Sequence, residues 1–272
     1  MNPYQKIMRN WTLPDGKSEE QVWAELQMKI KSGTASKGRV VHMNRKPWLA
    51  AAASVAVLVA VWLVWPQNET TYVVDAGNTM QMTLPDGSLV TMNSASEIQY
   101  HNDWSKERML HLKGQAYFEV KKGSTFIVNT DYGTVEVQGT SFDVMARPEK
   151  FEVKCATGKV TVTHKNNSAL LTPGLQCKAN GDQLITSGCG IDVAIWRNGV
   201  FSFTDEELVY VFKELERQFD VRIELPDMES RLCSISFEKS DLESALQIIC
   251  TAMQLEYRIA PDGTVVVVEK NS

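Results

Sequence analysis

A multidomain architecture is predicted for this 272-residue chain: a short helical segment, one membrane-spanning helix, an all-β domain and a small α+β domain. Three observations predict it. An uncharged apolar run stands near the amino terminus, and the charge changes sign across it. The residues beyond the run read first as strand after strand, then as strands interleaved with two amphipathic helices.

Residues 1–46 carry nine Lys/Arg and four Asp/Glu. They are too few for an ordinary core, yet two amphipathic helices are legible. "NPYQKIMRNW" offers Asn2 as a cap and Pro3 next to it, with Tyr4, Ile7, Met8 and Trp11 on one face. A "TLPDG" turn comes next. "SEEQVWAELQMKI" then opens on a Ser18-x-x-Gln21 capping box and carries Val22, Trp23, Leu26 and Ile30 along one stripe. Helices this short are expected to bury their stripe in a groove of another protein, folding as they bind. A self-packed hairpin lying on the membrane is the competing arrangement. Lys37, Arg39, Arg45 and Lys46 lie beside the apolar run, which points to lipid headgroups and not to direct nucleic-acid binding.

Residues 47–66 form the expected membrane helix. No charge occurs from Pro47 to Asn68, and an 18-residue helix from Trp48 to Trp65 would span roughly 27 Å. Trp48 and Trp65 mark its two ends, where amphipathic rings favour the headgroup level. A buried core helix is the alternative, but Ala50–Ala53 are weakly hydrophobic for that role. A cleaved leader fits poorly, because 46 residues precede the run. Residues 66–272 hold nineteen Lys/Arg against twenty-nine Asp/Glu. The Lys/Arg clustered before the run therefore place the amino terminus in the cytoplasm and the bulk of the chain on the far side of the membrane.

Residues 70–190 are expected to be all-β. "MQMTLPDGSLVTMN" alternates on both sides of a Pro85-Asp86-Gly87 turn, a hairpin signal. "RMLHLKGQAYFEV", "TFIVNT", "TVEVQGTSFDVMA", "FEVKCATGKVTVTH", "ALLTPGLQCKA" and "DQLI" come after it, with Gly or Pro between them. A sandwich, a barrel and a solenoid all fit that spacing.

Texture changes at "IDVAIWRNG". From 198 to 270 the order is β-α-β-β-α-β-β. A Thr204-x-x-Glu207 box is expected to open the first helix, with Leu208, Val211, Phe212, Leu215 and Phe219 inward. The second helix directs Leu242, Leu246, Ile249 and Met253 inward. A closing hairpin turns over Pro261-Asp262-Gly263.

Nothing points to catalysis, a metal or a cofactor. His42, His101, His111 and His164 are scattered, and there is no C-x-x-C, G-x-S-x-G, Walker loop or H-E-x-x-H. Five cysteines lie beyond the run. Parity puts Cys155, Cys177, Cys233 and Cys250 inward, where they are either buried thiols or the pairs 155–177 and 233–250, leaving Cys189 odd.

Several blocks of the all-β segment resemble the FecR family: "LPDGSLVTMNSASEIQY", "RMLHLKGQAYFEV", "TFIVNT", "VEVQGTSFDV", "GKVTV" and "LLTPG". "WRNGVFSFTDEELVYVFKELERQFDVRI" is similar to the start of that family's carboxy-terminal domain, itself like the short domains of secretins and TonB-dependent receptors. The resemblance implies a single-pass inner-membrane anti-sigma factor. Its cytoplasmic end would contact an extracytoplasmic-function sigma factor, here through Trp11, Val22, Trp23, Leu26 and Ile30. Its periplasmic part would receive a signal from an outer-membrane TonB-dependent or SusC-like transducer and so control uptake genes, with envelope proteases completing the relay. Many relatives carry a longer cytoplasmic domain than these 46 residues. Some relatives cleave themselves at a Gly-Thr bond, which would fall at Gly139-Thr140; a bulge glycine followed by a strand threonine is the structural alternative. Two rival functions compete with the relay. One is a periplasmic assembly module using its secretin-like domain to oligomerise, and the other is an envelope enzyme with an unfamiliar site.

Overall fold

The computed structural model describes residues 16–33, 54–57, 59, 69–104, 107–190, 192–227 and 231–270. The expected first helix with Trp11, and most of the apolar run including Trp48 and Trp65, lie outside them. Among the described residues no helix is long and apolar enough to cross a membrane. The chain divides into two units, Met1–Trp65 and Pro66–Ser272.

In the first unit, α1 spans Glu19–Lys31. Gln21 Oε1 accepts from the Ser18 N–H at 3.1 Å, as the capping-box spacing predicts. Glu19 and Glu20 sit in the first turn and Lys29 and Lys31 in the last, which complements the helix dipole at both ends.

The second unit holds two lobes. The larger is built from β1 (Glu69–Val74), β2 (Met80–Thr83), β3 (Leu89–Met92), β4 (Ser96–His101), β5 (Arg108–Glu119), β6 (Phe126–Asn129) and β7 (Thr134–Val137). It continues with β8 (Ser141–Arg147), β9 (Lys150–Cys155), β10 (Val160–His164), β11 (Asn167–Leu171), β12 (Leu175–Asn180) and β13 (Gln183–Gly188). These strands form a sandwich whose two layers share one strand. One layer runs β1-β4-β5-β6-β7-β10-β11, the other β2-β3-β5-β8-β9-β12-β13. Only β5–β6 is parallel within it.

The layer change happens inside β5. Up to Lys113 it pairs with β4 and β6; from Gly114 it pairs with β3 and β8. Gly114 sits at φ 97, and a Cβ there would lie 2.8 Å from Ser96 Cα, so only glycine lets the strand turn this corner. The two inner faces meet over Phe118, Phe126 and Phe142, all fully buried; Phe118 stacks on Phe142 with centroids 5.1 Å apart.

The smaller lobe begins after a 3-10 turn at Ile195–Asn198. It comprises β14 (Val200–Glu207), α2 (Leu208–Phe219), β15 (Ile223–Glu224), β16 (Leu232–Glu238), α3 (Leu242–Met253), β17 (Leu255–Ile259) and β18 (Val265–Glu269). The strands form two small sheets, β14-β16 and β15-β18-β17. Leu208, Val211, Phe212 and Leu215 of α2 and Leu246 and Ile249 of α3 are buried in a second core.

The Thr204-x-x-Glu207 box is not formed. Both residues belong to β14, and α2 starts at Leu208 without a side-chain cap. The physical reason is a bulge. Asp205 takes φ 49 and its N–H donates to Ser234 Oγ at 3.0 Å, so pairing with β16 resumes at Glu206 and holds the chain extended for two more residues. The cap of α3 is real, with Asp241 accepting from the N–H groups of Glu243 and Ser244 at 3.2 and 3.0 Å.

Candidate functional site

Two places in the molecule are arranged for something other than holding one core together. The first is the surface of α1, which buries no residue at all. Trp23, Leu26 and Ile30 are 60%, 45% and 76% exposed, while Val22 is half-buried. Their i, i+3, i+7 spacing puts an indole and two branched aliphatic side chains on one stripe. A 13-residue helix is marginal by itself, so this apolar stripe has the composition of a docking face.

The second place is the junction of the two lobes, where the smaller lobe covers the outer face of the β5-β8-β9-β12 layer. Register puts Tyr117, Asp143 and Lys154 in one row across that face, and Gln115, Met145 and Glu152 in the next. On an uncovered sheet these would be the solvent side. Here Asp143, Gln115 and Glu152 are buried.

A continuous polar chain crosses the junction. Trp196 Nε1 donates to Asp143 Oδ1 at 2.9 Å, and Gln115 Nε2 donates to Asp143 Oδ2 at 2.8 Å. Asn93 Nδ2 donates to Gln115 Oε1 at 2.7 Å; Gln218 Nε2, from α2, donates to Asn93 Oδ1 at 3.0 Å and to Glu214 Oε1 at 2.7 Å. The Ser94 N–H also donates to Asn93 Oδ1, at 2.8 Å, which prevents the amides from flipping together. Burial pushes the Asp143 carboxyl up to about 6, against the pull of Lys154 and its two donors.

Beside this chain lies a cleft of about 380 Å³ containing an ionic cluster. Lys150, Lys154 and Lys178 reach Glu152 at 3.3, 3.0 and 3.2 Å. Burial alone would raise Glu152, but the three ammonium groups outweigh it and hold the carboxyl down at about 2. Glu206 of the smaller lobe, re-aimed by the β14 bulge, joins Lys150 and Lys178 and so ties the cluster across the junction.

Sequence reasoning missed this junction. Its one available signal was polar residues within apolar strands, such as Asp143 in "SFDVMA" and Glu152 in "FEVKC". Alternation alone assigns both to solvent.

The remaining predicted residues lie elsewhere. Gly139 has φ 148, and a Cβ there would meet Lys122 Cα at 2.7 Å, so close backbone approach accounts for the glycine. Thr140 is buried, and its hydroxyl donates to the Lys159 carbonyl at 3.0 Å, an acceptor too weakly basic to activate a nucleophile. The purified chain is therefore expected to run full length on a denaturing gel, with Thr140→Ala indistinguishable from it. Two fragments meeting at residue 139 in the parent alone would reverse that expectation.

The predicted inward cysteines are indeed buried, but all five are free thiols, so the pairs 155–177 and 233–250 are not formed. For the first pair the register explains it. Cys177 faces Val153 across the ladder, which leaves Cys155 on the diagonal, roughly 7–8 Å away and too far for a disulfide. Burial pushes the Cys155, Cys177 and Cys250 thiols up to about 11, 12 and 11, so they behave as small apolar side chains. His101 and His111 face carboxylates of Glu69 and Asp131, each at 3.2 Å, on an open sheet face.

With this geometry in hand, the comparisons with known proteins agree with it. Residues 70–161 match the family model described as FecR protein, and residues 200–267 match that described as FecR, C-terminal. Two crystal structures of a candidate anti-sigma factor from Parabacteroides distasonis ATCC 8503, at 2.50 and 1.65 Å resolution, are similar in fold. Each superposes with a TM-score of 0.71, at 27% and 26% identity, covering 75% and 74% of this chain and 100% of theirs. No functionally curated protein matches this chain.

Proposed function

The chain belongs to the FecR family, and from that premise we propose that it is a single-pass inner-membrane anti-sigma factor acting by binding. In this reading residues 1–46 lie in the cytoplasm, residues 47–66 cross the membrane, and the two lobes (70–190 and 198–270) face the periplasm. The observation that carries it is α1, whose Trp23, Leu26 and Ile30 are exposed among the described residues. Such a stripe suits a groove in an extracytoplasmic-function sigma factor, and Trp11 of the preceding amphipathic segment would extend it.

On the periplasmic side the smaller lobe is the receiver. Among the described residues β17 pairs only with β18, which leaves one edge open, and Ile259 and Val268 of that hairpin are exposed. An outer-membrane TonB-dependent transducer could add a strand there, with main-chain hydrogen bonds supplying affinity. Envelope proteases would then release the cytoplasmic piece.

The test is co-purification of the full-length protein, in detergent, with extracytoplasmic-function sigma factors of the same genome. Stoichiometric capture is expected, and Trp23→Ala/Leu26→Ala is expected to weaken it about 100-fold or more, because an indole and a leucine at the centre of a contact dominate its energy. Absence of capture by the intact protein would discard the sigma-factor reading in favour of an envelope assembly role.

A further inference from the structure

The strand nearest the apolar run is weakly held. Among the described residues β1 lies at an edge of the sandwich, pairs only with β4, and buries a single side chain fully, that of Val74. Only Pro66–Asn68 separate it in sequence from Trp65, where the apolar run ends. A six-residue edge strand with so little buried surface belongs to the low-stability end of a fold.

The chain just past β1 is gripped from the other lobe. The Gly77 N–H donates to the Arg217 carbonyl at the end of α2, at 2.8 Å. The Gly77 carbonyl accepts from Lys239 Nζ, also at 2.8 Å. Both backbone groups of one residue, three past the end of β1, are thus satisfied by the carboxy-terminal lobe.

The neighbouring turn is held in the same grip. Asn78 O accepts from Ser94 Oγ at 2.7 Å, and Gln218 and Lys239 close on Ser94 at 3.1 and 3.4 Å. Ala95 sits at φ 52, a conformation strained for a residue with a Cβ. It is kept there by Arg147, which donates to the carbonyls of Ala95 and Ser94 at 3.0 and 2.8 Å, and by its own N–H on Asp75 O at 3.3 Å. Strain of this kind persists only where neighbours over-determine it; here they are Arg147 and Asp75 of the larger lobe, while the smaller lobe bears on the adjoining Ser94 through Gln218 and Lys239.

We propose that the carboxy-terminal lobe is a catch for β1: by holding Gly77 through Arg217 and Lys239 it keeps the membrane-adjoining strand in the sandwich, and displacing the lobe frees that strand. The device converts a contact on the smaller lobe into a change in the strand next to the apolar run, and it withdraws one side chain, Val74, from the larger core. It does not depend on what the cytoplasmic helix binds.

Hydrogen exchange on the full-length protein in detergent micelles tests it. Lys239→Met removes the charged donor while keeping the length of the side chain. It is expected to speed exchange of the β1 amides about 10-fold or more, with β9 and β10 unchanged and α3 and β18 still protected. A second variant works in the opposite sense. A Cβ built at Gly77 lies 3.5 Å from Asp220 Cβ, within the span of a disulfide. Gly77→Cys/Asp220→Cys, once oxidised, is expected to slow β1 exchange and to abolish the effect of Lys239→Met, with reduction restoring it. Unchanged β1 exchange in both variants, or uniform acceleration of every strand in Lys239→Met, would overturn the catch.

Discussion

Glu152→Gln is expected to destabilise the Pro66–Ser272 unit by about 3–5 kcal/mol in urea denaturation at pH 7, because it removes one partner of a buried ionic cluster. Three ammonium groups would then converge on a neutral amide, with Glu206 left to offset Lys150 and Lys178 and Asp143 to offset Lys154. Acid should act on the same carboxylate. The Glu152 carboxyl is held at about 2 against an ordinary 4.5. Its contribution, about 3 kcal/mol, is present above pH 4.5 and lost as pH falls through 2. Asp143 works the other way. Burial raises it from 3.8 to about 6, so the folded state takes up its proton first, and falling pH stabilises the fold by about 3 kcal/mol between those values. Together the two predict a stability maximum near pH 4 to 5. Asp143→Asn should abolish the rise on the acid side of neutrality and leave the fall below pH 4.5. A flat profile from pH 7 to 4.5 in the parent protein would refute the assignment of Asp143 as a buried, charged partner of Trp196 and Gln115.

Gly114→Val is the second large effect. A β-branched side chain at φ 97 is strained by the backbone alone, and its Cβ would meet Ser96 Cα at 2.8 Å and Ser96 Oγ at 2.4 Å. Backbone cannot step aside there, because Ser96 opens β4 and pairs with Val74 of β1. A loss of about 4 kcal/mol or more is expected, with β4 and β5 uncoupled at the corner. Gly188→Val is the matched control: it lies at the end of β13, lacks the positive φ, and would meet nothing within 4 Å. It should change stability by less than about 0.5 kcal/mol. Equal effects at the two positions in urea denaturation would mean that the corner tolerates a side chain after all.

Much of the secondary structure was legible because it rests on local rules. Alternation located the strands of the larger lobe, since a strand half-buried in a sandwich shows its two faces in its own residues. The 3.6-residue period likewise identified the inward residues of α2 and α3. Where a local signal failed, a non-local contact explains it. Thr204-x-x-Glu207 has the spacing of a helix start, but pairing with β16 drew those residues into a strand. Gly114 carried a warning inside "HLKGQAY", yet nothing local said that one strand would serve both layers.

The candidate sites divide in the same way. The stripe of Trp23, Leu26 and Ile30 is a property of one short helix, and its spacing could be read directly. Asp143 and Glu152 look like solvent-side residues of two strands, and they are buried only because a lobe beginning about fifty residues later folds over them. Alternation and period therefore determined the elements and their faces, because those depend on neighbours in the chain. Which face a second lobe would cover, and that Lys239 would reach the carbonyl of Gly77 from 162 positions away, depends on surfaces that exist only after both lobes have formed.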